Sequence, residues 1–449
     1  MNKYLFLIVS LVITSCASKK EDSYTYFGGK IINPKSDYVL LYQTNKVIDS
    51  IKLTDKNTFS TKLKNIKPGL YFFKHGIEHQ YVYLEPKDSI LLRLNTWGFD
   101  ESLVFSGNGA EKNNVLIETF LRNEQDNIHF TKNYQDNAAS FLKKIDSLKA
   151  IKTQYLEDFS LYNPDTSDEF LTILNIALKY PVYTKLENFI RENNIKEHPE
   201  VLTDDFLKHR KDVDINKAPL MFYIPYRNYV YAHLYSDIYQ KGLKKESDAF
   251  TIALLKNIHN KITTDKYRNR LLRHITIRHF YNNSTCQIND SVFNTYFSLT
   301  TNKKDKERIG KLLNDIKKIK PKTKLPSFSI LNNKGATNSI NELVKNKKSV
   351  IYFKGKTRSS DEWLASRVEY LMNKNKDTEF IIINVNENRD FNIKKLGIKN
   401  QFSLNKNSKA YDFLNSDFPR VILVNDKGIV TNSFAALSSK KIEQQITEL

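Results

Sequence analysis

Residues 418–430 read FPRVILVNDKGIV, and the apolar, β-branched run RVILV at 420–424 predicts a β-strand. The same part of the chain holds two more strand-like runs, at 349–353 and 379–385, and two helical stretches, at 361–373 and 438–447. Strands that alternate with helices are typical of βαβ units, in which strands run parallel. The sequence therefore predicts an α/β domain with a parallel component in its sheet at 321–449.

Helices are expected before this domain, at 107–320. Apolar residues recur at helical spacing in three stretches: 138–148, 250–262 and 267–281. The tetrapeptide TSDE at 166–169 has the form of a capping box that opens a helix running through Leu178. The tyrosine-rich stretch 223–239 is expected to pack helix against helix rather than to bind a ligand.

Farther towards the N-terminus, residues 24–106 have the pattern of an all-β module. Short alternating runs of β-forming residues are separated by turn residues: 26–32, 38–43, 47–53, 59–63, 70–75, 81–84 and 89–94. Such regular spacing predicts a β-sandwich or a barrel-like module.

The first sixteen residues predict an export signal. The apolar run YLFLIVSLVI at 4–13 is too short to cross a bilayer, which needs roughly 20 apolar residues, but it fits a signal peptide at 1–15. The following ITSC, ending at Cys16, resembles the lipobox of bacterial lipoproteins. That resemblance implies a diacylglyceryl group on the Cys16 thiol, cleavage before this residue and an acylated N-terminus. The alternative is an ordinary cleaved signal followed by a chance cysteine.

A charged tether, 16–23, follows the cleavage position and sets the expected location. Ala17 rather than Asp follows Cys16, so nothing argues for retention in the inner membrane. We therefore expect a cell-envelope protein anchored to membrane lipid, in the outer rather than the inner membrane, with its periplasmic or surface face left open.

Charge and cysteine content limit the possible partners. The net charge of the 449 residues is +20, but lysines are dispersed and no arginine-rich recognition helix stands out, so we expect no nucleic-acid partner. The two cysteines are Cys16 and Cys286. If Cys16 is lipidated, Cys286 has no intramolecular partner. We expect Cys286 to be a buried or half-buried small residue; a reactive thiol is the alternative.

Three segments of the last domain resemble the envelope-anchored thiol-disulfide oxidoreductases of the thioredoxin fold: 325–335 (LPSFSILNNKG), 349–353 (SVIYF) and 418–430. The resemblance implies that Pro419 takes the cis-proline position and that 426–428 forms a hairpin turn. In addition, 104–114 (VFSGNGAEKNN) resembles the junction in Gram-negative lipoproteins that place a β module and helices before a thioredoxin domain. The expected fold class is therefore multidomain α+β: a β-sandwich-like module, a helical middle and a thioredoxin-like α/β domain.

The chemistry of that family needs Cys-x-x-Cys at the start of the first long helix, where the helix N-terminus stabilises a thiolate. This chain reads KGKTRSSDEW at 354–363 and has no cysteine after Cys286. A serine nucleophile would need a base, and 321–449 contains no histidine. We therefore expect no catalytic residue, cofactor or metal there, and interpret Ser359 or Ser360 as a helix N-cap.

Three functions remain open. In the first, the domain is a redox-inactive binding or structural module, and a groove for extended polypeptide of an unknown envelope protein is formed by Thr357, Arg358, Ser359, Ser360, Phe418 and Pro419. Arg358, with Lys354 and Lys356 before it, would favour an anionic group, or all three cations point into water. The second is a thiol-disulfide oxidoreductase-related protein of envelope redox homeostasis. The third is an architectural envelope subunit, in which the turn is only a degenerate loop.

Overall fold

The computed structural model describes residues 22–193, 203–355, 360–385, 393 and 399–449. These residues form a mixed α/β protein with three sheets and many helices. The predicted combination of sheets and helices is confirmed. Contacts divide the chain into two compact units. The first combines the residues up to Phe189 with Pro219–Tyr229, and the second combines Ile190–Ala218 with Val230–Leu449. Cys16, the predicted site of lipidation, lies outside the described residues.

The N-terminal part of the first unit holds two four-stranded sheets. Their strands are β1 (Tyr24–Ile32), β2 (Tyr38–Gln43), β3 (Lys46–Lys52), β4 (Thr58–Lys64), β5 (Gly69–His75), β6 (Glu78–Leu84), β7 (Ser89–Asn95) and β8 (Val104–Asn108). The sheet orders are β4-β1-β7-β8 and β3-β2-β5-β6. The seven predicted strands are confirmed, and β8 is an eighth strand in the segment expected to be a junction.

Alternating burial explains why the two sheets pack on each other. In β7, Ile90, Leu92 and Leu94 are buried while the residues between them are not, because successive side chains of a strand point to opposite faces. Across the sheets, the rings of Phe27 and Phe73 lie 6.0 Å apart in one shared core. The arrangement is a β-sandwich.

Helices follow the sandwich. They are α1 (Ala110–Phe130), α2 (Ala138–Tyr162), α3 (Asp168–Glu192), α4 (Asp204–Leu207), α5 (Ile224–Tyr239), α6 (Asp248–Lys261), α7 (Asp265–Asn283), α8 (Asp290–Leu299) and α9 (Lys303–Lys318). Tyr226 and Tyr229 of α5 are buried against Tyr180 of α3, with ring centroids 5.8 and 5.4 Å away. Packing between helices is thus confirmed for Tyr226 and Tyr229, whereas Tyr223 packs against Tyr81 of β6, with ring centroids 4.9 Å apart. None of the described helices has the length and apolar character that a bilayer crossing requires.

The predicted capping box at 166–169 is wrong, and a single serine N-cap takes its place, because the third helical position is Phe170 rather than Glu or Gln. The hydroxyl of Ser167, not Thr166, accepts the hydrogen bond from the N–H of Phe170 at the start of α3. The same Ser167 hydroxyl donates to the carboxylate of Glu85, at the end of β6. This contact with the sandwich selects Ser167 as the cap, and α3 continues to Glu192 rather than ending at Leu178.

The C-terminal part of the second unit is a seven-stranded sheet. Its strands and helices are β9 (Ser329–Leu331), β10 (Thr337–Ser339), α10 (Ile340–Leu343), β11 (Lys348–Lys354), α11 (Asp361–Lys374), β12 (Thr378–Asn384), β13 (Gln401–Leu404), β14 (Arg420–Val424), β15 (Val430–Ala435) and α12 (Ile442–Thr447). The order is β10-β9-β13-β12-β11-β14-β15. β11 pairs in parallel with β12 and antiparallel with β14, so the predicted strands share one central sheet with a parallel component.

Both faces of this sheet are covered, as the uninterrupted apolar strands require. Ile351 and Phe353 of β11 lie in one core, and Val350 and Tyr352 lie in a second core with Leu364 of α11. An ion pair between Lys354, the last residue of β11, and Asp361, the first residue of α11, places these two ends side by side.

The expectation that the peptide bond before Pro419 is cis is wrong. Every peptide bond in the described residues is trans, including the one between Phe418 and Pro419. The trans isomer of an X–Pro bond is intrinsically favoured by about 0.5–1 kcal/mol. In this geometry the Pro419 carbonyl accepts a 3.0 Å hydrogen bond from the Tyr281 hydroxyl of α7, a contact that the resemblance did not include.

Candidate functional site

The candidate site lies where β11 ends, α11 begins and the chain enters β14. Of the six groove residues named from the sequence, Thr357, Arg358 and Ser359 lie outside the described residues. The structure describes the other three, Ser360, Phe418 and Pro419, and these have different surroundings.

Ser360 is the N-cap of α11. Its hydroxyl accepts a hydrogen bond from the N–H of Trp363 at 3.2 Å, and Asp361 and Glu362 occupy the first turn. A serine cap followed by acidic residues stabilises a helix N-terminus, because both satisfy or complement its free N–H groups. The local sequence is sufficient to explain this side chain.

Lys354 is engaged by the same helix. Its ammonium forms an ion pair with the carboxylate of Asp361, and its side chain is largely buried. Lys354 was expected either to attract an external anion or to point into water, and both expectations are wrong for this residue. Lys356 and Arg358 lie outside the described residues.

Phe418 is covered by residues from two helices of the same unit. The guanidinium of Arg308, from α9, lies 4.6 Å from the centre of its ring, and the ring of Tyr281 lies 6.4 Å away. Asp417 holds Arg308 through two contacts, at 3.0 Å to Nε and 2.9 Å to Nη2. Because Pro419 also bonds to Tyr281, the 417–419 segment is fastened from one side.

Open space remains on both sides of Phe418. One pocket, of about 580 Å³, is bordered by Phe418, Tyr352, Leu437 and Trp363 of α11. The indole of Trp363 is 40% exposed. A second pocket, of about 680 Å³, lies between Phe418, Gly355 and Tyr411. The first pocket offers mainly apolar contact surface near the beginning of α11, whereas the second is about equally polar and apolar.

Arg420, the first residue of β14, was not singled out from the sequence. It is 1% exposed and its guanidinium lies among the rings of Phe353, Phe413 and Phe434, at 5.7, 5.1 and 5.2 Å. Burial lowers its pKa to about 10. The available signal was a charge at the start of an otherwise apolar strand.

One polar contact reaches this guanidinium from α9. Nη1 of Arg420 donates to the carbonyl oxygen of Asp315 at 3.3 Å, while Nε and Nη2 have no hydrogen-bond partner among the described residues. The carboxylate of Asp315 accepts hydrogen bonds from the N–H groups of Asn415 and Ser416, at 2.9 and 2.6 Å. α9 thus fixes both the loop before Phe418 and the residue after Pro419.

The chemistry available to this site is limited by its residue types. The sequence supplies no cysteine after Cys286 and no histidine after residue 320. Cys286 is half-buried after α7, and its N–H donates to Asn432 Oδ1 at 3.2 Å. Within the described part of the chain, no group of three or more His, Cys, Asp or Glu residues is placed to hold a metal ion.

Comparison with known proteins gives similarity only at the level of solved structures. No family model and no curated protein matches the chain. A thioredoxin-like protein from Bacteroides caccae has 13% identity and a TM-score of 0.29, with 59% of this chain and 93% of that chain covered. A proposed thiol-disulfide oxidoreductase from Bacteroides vulgatus has 21% identity and a TM-score of 0.25, with 29% and 97% covered.

A third similar structure is a thiol:disulfide interchange protein from a Bacteroides species. It has 19% identity and a TM-score of 0.24, and the match covers 29% of this chain and 90% of that chain. These three structures are described as a thioredoxin-like protein, a thiol-disulfide oxidoreductase and a thiol:disulfide interchange protein.

Proposed function

We propose that this protein is a lipid-anchored lipoprotein of the cell envelope whose thioredoxin-like domain is a redox-inactive binding module. The observation that carries the proposal is the sequence KGKTRSSDEW at 354–363, which has no cysteine where the resembling enzymes need two. Thiol-disulfide exchange proceeds through thiolate attack and resolution by a second thiol. The entry to α11 supplies neither sulfur.

The proposed ligand is an extended polypeptide that places an apolar side chain against Trp363 and Phe418. A partly exposed tryptophan beside an open, mainly apolar pocket supports this role, since tryptophans are enriched among the residues that dominate binding energy. Arg308 is engaged with Asp417 and shapes the pocket rather than attracting an anionic ligand.

Peptide capture tests this role. Trp363→Ala should weaken binding of extended envelope peptides at least about tenfold, the range for a residue that dominates an interface. Tyr370→Ala is the matched control, because Tyr370 is a similarly exposed aromatic residue of α11 that does not border the pocket. Equal losses in both variants, or none in either, would reject the pocket as the binding surface.

An architectural role is the second candidate, and one observation favours it. Tyr281 and Arg308 already contact the Phe418–Pro419 segment, so this segment also serves to join the sheet to its neighbouring helices. A protein that holds envelope partners equally well with Trp363→Ala would use other surfaces and would support this candidate.

Lipid anchoring has a separate test. Intact-mass analysis of membrane-extracted protein should show acyl additions on a chain that begins at Cys16, and Cys16→Ser should release or mislocalise the protein. A soluble mature form with an unmodified Cys16 would contradict the anchor.

The redox alternative is tested with the purified protein. It should fail to reduce insulin or to refold a scrambled substrate, and Cys286→Ser should behave as the wild type does. Turnover by the wild type that disappears with Cys286→Ser would contradict the proposal of a redox-inactive domain and would favour the oxidoreductase-related function.

A further inference from the structure

A second cavity lies in the first unit, away from the candidate site. It is lined by β6, α1, α3 and the beginning of α5, is partly open, and has a volume of about 270 Å³. Leu116, Phe120 and Pro181 contribute apolar walls. The polar and charged groups of the lining include Thr119, Asn127 and Lys185 and one carboxylate, that of Glu124. Apolar walls with a few placed polar groups are typical of small-molecule sites, although this volume is slightly below the usual range for drug-sized ligands.

Lys185 of α3 brings a positive charge into this cavity. The residue is 2% exposed, and its ammonium donates a hydrogen bond to Oδ1 of Asn127. Among the described residues no carboxylate lies within ion-pair distance of it, because the nearby Asp126 pairs with Lys152 at 2.7 Å. An ammonium has three N–H donors, and a buried charge without a counter-ion is costly.

Thr119 supplies an unpaired polar group in the same cavity. It is 0% exposed, and its hydroxyl has no hydrogen-bond partner among the described residues. Buried hydroxyls are normally paired, and leaving one without a partner is unfavourable. The wall of the cavity therefore contains two separate polar groups that the chain itself does not satisfy.

The spacing of these groups defines the shape of a ligand. Thr119 and Asn127, the partner of Lys185, lie on α1. They are two turns apart on one helix face, so about 12 Å separates them along the axis. Phe120 borders the cavity between them. A single carboxylate is too small to reach both ends, whereas an elongated molecule with an apolar middle matches the arrangement.

We propose that this cavity binds a small, elongated carboxylate whose anionic end pairs with Lys185 and whose apolar body lies along α1 towards Thr119. The carboxylate supplies the counter-charge that Lys185 lacks, and a hydroxyl at the far end of the ligand pairs with Thr119. Burial lowers the pKa of Lys185 to about 8, and Asp126 opposes this shift while Lys152 adds to it. A bound anion would favour the charged form of the amine.

Probes of equal length test the proposal. Octanoate should bind the full-length protein in calorimetry, 1-octanol should bind at least about tenfold more weakly because it lacks the charge, and 8-hydroxyoctanoate should bind more tightly than octanoate. Equal affinity for octanoate and 1-octanol, or no binding of octanoate, would overturn it. This comparison needs no variant and remains valid if a substitution prevents folding.

Two variants locate the ends of the ligand. Lys185→Met should reduce octanoate affinity at least about tenfold, the lower range for a lost charged hydrogen bond, while Lys179→Met, on the same helix but outside the cavity lining, should not. Thr119→Val keeps the side-chain shape and should abolish the preference for 8-hydroxyoctanoate over octanoate. Unchanged octanoate affinity in Lys185→Met, or a preserved preference in Thr119→Val, would refute the assigned orientation.

Discussion

His75 makes two hydrogen bonds that require a neutral imidazole ring. Its Nε2 accepts from the N–H of Lys35 at 2.9 Å, which leaves Nδ1 protonated to donate to the carbonyl of Tyr38 at 3.1 Å. The side chain is buried at the end of β5, and burial lowers the pKa of His75. Protonation at Nε2 would remove the bond from Lys35.

The stability of the sandwich should therefore fall as the pH drops below about 6.5, the unfolded-state pKa of histidine. The folded pKa is lower, so the unfolded chain binds more protons in this window, and stability rises with pH there. His75→Gln should remove part of this dependence, approaching about 1 kcal/mol, the value of one hydrogen bond. Urea unfolding at several pH values measures it, with His79→Gln as an exposed control; identical pH slopes in all three proteins would contradict the assignment.

Arg420 gives a second prediction at the residue scale. Arg420→Ala should lower the free energy of unfolding by about 3–5 kcal/mol, as large-to-small changes in a core do. Arg420→Met keeps most of the volume among the three rings and removes two unpaired nitrogens, so its cost should be smaller by about 2 kcal/mol. Denaturant unfolding distinguishes the two variants. Equal destabilisation would mean that the charge, and not the packing, is needed.

At the scale of elements, the beginning of α11 depends on its cap. Ser360→Ala removes the acceptor for the N–H of Trp363 and should cost about 1 kcal/mol of stability. Ser360→Asp retains an acceptor and should cost less. Thermal unfolding measures both. If Ser360 serves only as a cap, the alanine variant binds peptide as the wild type does, and a loss of binding without a loss of stability would assign it to the groove instead.

α9 contacts the candidate site although it lies far from it in the sequence. Its Asp315 holds the N–H groups of Asn415 and Ser416, and its Arg308 covers Phe418. The loop that precedes β14 is therefore shaped by a helix about a hundred residues earlier. This arrangement explains why the end of the helical region and the sheet fall into one compact unit.

At the scale of the whole molecule, the cysteine content predicts insensitivity to reductant. If Cys16 is acylated, as we propose, Cys286 has no partner in the chain, and no intramolecular disulfide stabilises either unit. Reductant and the substitution Cys286→Ser should therefore each leave the melting temperature of the lipidated protein unchanged. Loss of a disulfide would be easily detected, because it typically costs about 2–5 kcal/mol of stability. A lower melting temperature both in reductant and in Cys286→Ser would reveal a disulfide that Cys286 makes with another chain.

The sequence by itself determined the features that depend on neighbours along the chain. Alternation in β7 predicts a strand because it matches the two-residue period of a strand. The short apolar runs of β11 and β14, which are rich in β-branched residues, predict strands that are buried on both faces. The serine before Asp361 and Glu362 predicts the cap of α11 for the same local reason. The absence of cysteine at 354–363 is likewise a property of the sequence, and no fold changes it.

Only the tertiary structure decided what surrounds those elements. The trans bond at Pro419 accompanies a contact with Tyr281, 138 positions away, and the polar contact of Arg420 comes from Asp315, 105 positions away. Ser167 replaces Thr166 as a cap because Glu85 of the sandwich lies beside it. The charge of Lys185 is buried because α1 and α3 close a cavity around it. Such contacts have no local signature, since any of many residues could have been brought to the same place by packing.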